Sequence, residues 1–221
     1  MLQAATLQFL TDLDQNNNKP WFDTNRKRYE AAKKDVENFV GALLAANVAQ
    51  LPELEGKQAK DCLFRIFKDV RFSKDKLPYK NNFGAGFGKG EKSAHGAGFY
   101  LHLQPGGHSF MGGGIWQPEA AHLKAIRQEI DYNFKEFKAI VESPAFKKTF
   151  KGLDTTDKLK KKPQGYEEDN PAIEYLKLKS FTAGAPLSDK DLLSKNAIAK
   201  VTAIVTEMKP LVTFMNRAID I

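Results

Sequence analysis

The sequence predicts an α+β fold, a mainly antiparallel sheet flanked by N- and C-terminal helices, and three observations carry that expectation. Apolar residues recur at three- and four-residue steps towards both ends of the chain. The middle alternates apolar and polar positions around a Pro105-Gly106-Gly107 turn. No linker, internal repeat or low-complexity tail divides the chain, so one domain is expected over residues 1–221. A globule of this length buries roughly 70% of its extended-chain surface, enough for a core without staples.

In chain order, Leu2, Ala5, Phe9, Leu10 and Leu13 follow helical spacing until the polar Asn16-Asn17-Asn18 segment. Beyond Pro20 a second apolar series runs from Trp21 to about Val48, a long helical region with room for one break, closed by Leu51-Pro52. Residues 62–67 read as a strand with Arg65 opposite Phe64 and Ile66. Six glycines between Phe83 and Gly98 predict a flexible loop. Phe99, Leu101 and Leu103 then share one face of a strand, with Tyr100, His102 and Gln104 on the other. Residues 108–116 return as the second strand of a hairpin. Pro118 is placed as a first helical residue of a run to Ser143-Pro144, and a short helix follows over 145–150. Asn170-Pro171 opens another short helix, 178–183 reads as a strand, and a turn is expected at 184–186. Ser188 and Asp191 have capping-box spacing, and the helical stripe that follows is expected to break or kink at Pro210.

Composition excludes several classes. The single Cys62 cannot form an intrachain disulfide and reads as a small buried hydrophobe. No apolar run reaches the length of a membrane span and no signal peptide is recognisable, so a cytoplasmic setting without membrane partners is expected. His95, His102, His108 and His122 show no zinc spacing, although His102 and His108 could meet across the hairpin. The glycine-rich segment lacks a following helix and a G-K-[ST] step, so neither a nucleotide loop nor any cofactor is expected.

The net charge of +7 favours anionic partners, and residues 65–80 concentrate it. Arg65, Lys68, Arg71, Lys74, Lys76 and Lys80 stand against two carboxylates, Asp69 and Asp75. The candidate ligand-binding residues are Arg65, Lys68, Asp69, Arg71, Asp75, Lys76 and Tyr79, because guanidinium and ammonium groups on an extended segment suit phosphate or carboxylate. Three readings follow. In the first, a small phosphorylated or otherwise anionic ligand binds here beside the glycine-rich segment, with Asp69 or Asp75 the general base if the protein is an enzyme. In the second, the same face and the lysines of residues 158–162 bind nucleic acid. In the third, Asp69 and Asp75 satisfy the cations internally and the stretch is a clamp within a structural or interaction module.

The pattern R-x-x-R-D-x-R-F-x-x-[DN]-K-x-x-Y resembles Arg65, Asp69, Arg71, Phe72, Asp75, Lys76 and Tyr79, with Lys68 at the second arginine position. That pattern is the signature of the bacterial family catalogued as domain of unknown function 2461. NNKPWF at 17–22, Gly113-Gly114 and PQGYEEDNP at 163–171 extend the resemblance over nearly the whole chain. It implies a single α+β domain and brings no activity with it. Lysine at position 68 keeps the charge and loses the guanidinium fork.

Overall fold

The computed structural model describes residues 1–69, 71, 76–89 and 96–220. Among these the fold is α+β, with helices before and after one antiparallel sheet of four strands in the order β1-β2-β3-β4. The described residues group into two compact units, and the strands and the last helix contribute residues to both. No helix among them is long and apolar enough to cross a membrane.

The first unit holds residues 1–86, 100–111 and 186–203. Its helices are α1 (Ala4–Gln15), α2 (Lys19–Thr24), α3 (Arg26–Asn47), the single turn α4 (Ala59–Cys62) and α9 (Asp189–Leu193), the last two separated in sequence by the sheet. The expected break in the second helical region falls at Asn25, which closes α2 and opens α3. Leu10 and Leu13 of α1 and Val36, Val40 and Leu43 of α3 are fully buried, so the predicted stripes form the core. The side chain of Asn18 accepts a hydrogen bond from the Trp21 amide, which fixes the start of α2 beside Pro20.

Two expectations are corrected in this part of the chain. Residues 62–67 are no regular strand: Cys62 ends α4, and only isolated bridges follow, Leu63 to Ala85 and Phe67 to Tyr79. Residues 83–88, expected as loop, form β1 (Phe83–Gly88). Low strand propensity was overridden by packing, because Phe83, Ala85 and Phe87 are buried and Gly84 sits under the Tyr100 ring, where a Cβ would lie 2.7 Å from the hydroxyl.

The hairpin of β2 (Gly98–Leu103) and β3 (Ser109–Ile115) is as the alternation predicts, with Phe99, Leu101 and Leu103 buried. Gly106 and Gly107 turn it with φ of 77° and 78°, and both amides donate to the Asp189 carboxylate. Ser188 and Asp191 form the expected capping box at α9.

The second unit holds residues 87–99, 112–185 and 204–221. The run expected from Pro118 to Ser143 divides at Asn133 into α5 (Ala120–Tyr132) and α6 (Phe134–Val141), followed by α7 (Pro144–Phe150) and α8 (Ile173–Leu176). The turn expected at 184–186 is instead part of β4 (Phe181–Leu187), an edge strand. Along β4 the Asp154 amide donates to the Thr182 carbonyl. β3 lies flush against β4 because Gly114 has φ 112°, and a Cβ there would stand 2.0 Å from the Phe181 carbonyl oxygen. The last helix, α10 (Ala197–Ala218), continues through Pro210, so of the expected break or kink the break does not occur. Pro210 is exposed, so its missing hydrogen bond faces water, while Met208, Leu211 and Val212 around it are buried. Near its end the Asn216 amide both donates to and accepts from the Ala97 backbone.

Candidate functional site

Residues 66–68 and 78–80 run antiparallel: the Lys68 amide donates to the Pro78 carbonyl and the Lys80 amide to the Ile66 carbonyl. One step further the Phe64 amide donates to the Gly84 carbonyl, which joins the segment to the outer edge of β1. The hairpin is anchored by Asn17, whose side chain accepts from the Tyr79 amide at 3.1 Å and donates to its carbonyl at 2.9 Å, as a neighbouring strand would. Aromatic stacking fixes the same point. The Tyr79 ring lies on Phe22 with centroids 4.0 Å apart and planes within 11°, and Phe67 packs at 5.5 Å.

The predicted site residues separate under this geometry. Tyr79 is buried and serves as an anchor; burial, then the charge of Asp23, holds its hydroxyl protonated above the usual tyrosine range. Asp69 and Arg71 form a forked pair, with Nε to Oδ1 at 2.9 Å and Nη2 to Oδ2 at 2.6 Å, on the exposed surface. The Arg71 bonds pull the Asp69 carboxyl below the usual range. Lys68 is half-buried and Lys76 has φ 43°, and each is engaged, so neither counts as a free cation. Asp75, with Lys74 and Phe72, lies outside the described residues.

Arg65 and Lys80 remain. Arg65 is exposed and makes no hydrogen bond or ion pair among the described residues. Lys80, counted among the cations and not among the predicted ligands, is half-buried with Nζ 5.8 Å above the Phe64 ring. Its pKa is lowered, first by burial and then by the charge of Arg65. Lys80 thus feels the charge of Arg65, while Asp69, which also feels Arg65, is already held by Arg71.

The Phe64 ring meets Tyr100 edge-on at 5.9 Å, and Tyr100 begins a polar row on β2. Its hydroxyl lies 3.1 Å from His102 Nδ1, and His102 Nε2 lies 2.9 Å from Gln104 Oε1. Phe110 of β3 stacks on the His102 ring at 5.0 Å and 16°. Burial raises the Tyr100 pKa, so the group is a neutral hydroxyl. His102 therefore does not meet His108, which is exposed in the turn. Among the described residues no group of histidine, cysteine and carboxylate side chains is placed to hold a metal ion. The alternation of residues 100, 102 and 104 was visible in the sequence; that Phe64 touches both Tyr100 and Lys80 depends on pairing between distant segments.

A family described as conserved hypothetical protein (DUF2461) matches residues 5–214. The chain belongs to this family. The match spans both units, the 65–80 hairpin and the β2 row. No curated protein and no solved structure matches the chain.

In the second unit the lysines at 158–162 are differently placed. Lys158 pairs with Glu174 at 3.2 Å, Lys162 pairs with Glu167, and Lys177 joins Glu168 and Glu174 at 3.0 and 3.3 Å.

Proposed function

We propose that this DUF2461 protein binds a small anionic ligand, a phosphate ester or a similar oxyanion, between Arg65 and Lys80. The observation that supports the reading is Lys80 half-buried over the Phe64 ring, where it feels the charge of Arg65, with the Asp69 carboxylate committed to Arg71. Burying part of an ammonium beside another cation is unfavourable until an anion arrives. The ligand supplies the missing counter-charge, and the Tyr100 hydroxyl beyond Phe64 supplies a neutral polar contact.

Thermal denaturation in sulfate, inorganic phosphate and a set of phosphate esters tests this. A ligand at 100 times its Kd stabilises by about 2.7 kcal/mol, readily seen as a rise in Tm. Arg65→Gln and Lys80→Gln should each remove most of the rise, while Lys160→Gln should leave it. Absence of any rise with the whole set, or a rise that survives both substitutions, overturns the proposal.

A further inference from the structure

Tyr100, His102 and Gln104 occupy alternate positions of β2, so their side chains emerge on one side of the strand. The row they form has a direction. Gln104 presents its carbonyl oxygen, which only accepts, so His102 Nε2 carries a hydrogen whatever the charge of the ring. In the neutral imidazole Nδ1 is then a bare acceptor, and the Tyr100 hydroxyl must donate inward to it. In the imidazolium Nδ1 carries a hydrogen too and donates to Tyr100 Oη. The hydroxyl hydrogen is then released from the ring and turns outward. Both charge states keep every hydrogen bond of the row; only the direction of the Tyr100 O–H changes.

The surrounding packing holds the partners in place while this happens. Phe110 stacks on the imidazole, and both Phe64 and Phe110 pack against the Tyr100 ring, at 5.9 and 5.8 Å. Gly84 of β1 leaves just enough room for the hydroxyl, as a Cβ there would lie 2.7 Å from it. The neighbours packed on this row from β1 and β3, Gly84 and Phe110, do not titrate. The charged group on the Phe64 ring is Lys80, which feels the charge of Arg65.

We infer that His102 is a positioning residue of the anion site: taking up a proton at Nδ1, it reverses its hydrogen bond with Tyr100 and delivers the Tyr100 O–H to the bound anion. The inference rests on the reading of Arg65 and Lys80 as that site. The proton comes from solvent and no other bond is made or broken, so binding of the anion and protonation of His102 favour each other. The ligand group next to Tyr100 is an oxygen acceptor, as in a sulfate, phosphate or carboxylate, and not a hydrogen-bond donor.

Sulfate is the suitable probe because its charge is constant over the interval, about pH 5 to 8, in which imidazoles titrate. Calorimetric titration of the whole protein with sulfate should show affinity rising as pH falls, with a slope approaching about tenfold per pH unit at the alkaline end. Tyr100→Phe and His102→Gln should each bind more weakly and without that slope, with near-normal melting curves. Arg65→Gln should bind more weakly at every pH and keep the slope. A flat wild-type profile overturns the inference and leaves the anion site standing. A slope that persists in Tyr100→Phe also overturns it, because the histidine charge then acts through space. If sulfate fails to bind at every pH, site and inference fall together. Nitrogen-15 spectra of the wild-type imidazole give a test that needs no variant: the neutral ring must carry its hydrogen on Nε2, and a hydrogen on Nδ1 refutes the scheme.

Discussion

At residues 158–162, Lys158 and Lys162 each reach a glutamate supplied by the segment that follows, and Lys177 draws Glu168 and Glu174 into the same network. Where segments 66–68 and 78–80 pair, Lys80 feels the charge of Arg65, and the carboxylate that Arg65 influences is held in a fork by Arg71. Both runs carry a net charge of +4 in the sequence. They differ in which carboxylates the chain returns to them. Charge density along a sequence therefore measures the cations present, and only the fold determines how many remain for a ligand.

Four substitutions test that contrast, in order of expected effect. Phe22→Ala removes the ring on which Tyr79 stacks and empties a fully buried position. It should cost about 3–5 kcal/mol in urea denaturation and loosen the hairpin that carries Lys80. A loss below 1 kcal/mol would mean that the hairpin is held by other means. Asn17→Ala removes both bonds to the Tyr79 backbone and should cost about 1–3 kcal/mol, with amide exchange accelerated at Tyr79 and Lys80 first.

Arg65→Gln should then raise the Lys80 pKa, as read from NMR of the labelled ammonium, because it removes the second cause of its depression. The sign follows from proton counting. The unfolded chain binds the Lys80 proton more tightly than the folded one, so this group's contribution to stability grows as pH rises from the lowered value to the ordinary 10.5. Anion affinity should fall over the same interval. The smallest effect is expected for Asp69→Asn. Its pair with Arg71 is exposed, so Tm should stay unchanged, whereas a sharp fall would restore the reading of the stretch as an internal clamp.

Much of the fold was legible because it rests on periodicity. The apolar stripes of α1, α3 and α5 and the alternation over residues 99–104 name the buried faces, except that Ala5 of the first stripe is exposed. The misreadings have a common cause, long-range packing that overrules a local preference. Glycines made residues 83–88 look like loop, yet they form a strand beneath Tyr100. Residues 184–186 read as a turn, yet they lie within β4. The candidate site was legible as a stretch and not as a constellation. Residues 65–80 drew attention to Arg65, while the packing of Tyr79 on Phe22 and the place of Lys80 over Phe64 emerge only in the fold.

The manner in which the sheet ends has a bearing on colloidal behaviour. β1 and β4 are the outer strands, and open strand edges are where chains recruit one another into aggregates. Here the Phe64 amide occupies the Gly84 carbonyl along β1, and the Asp154 amide occupies the Thr182 carbonyl along β4, where Pro186 also offers no N–H. A second copy adding a strand at these positions must first displace these segments. The segment guarding β1 is the one that carries Arg65, so detachment of the proposed anion site and exposure of a sticky edge are one event, and an anion bound there should slow aggregation during heating.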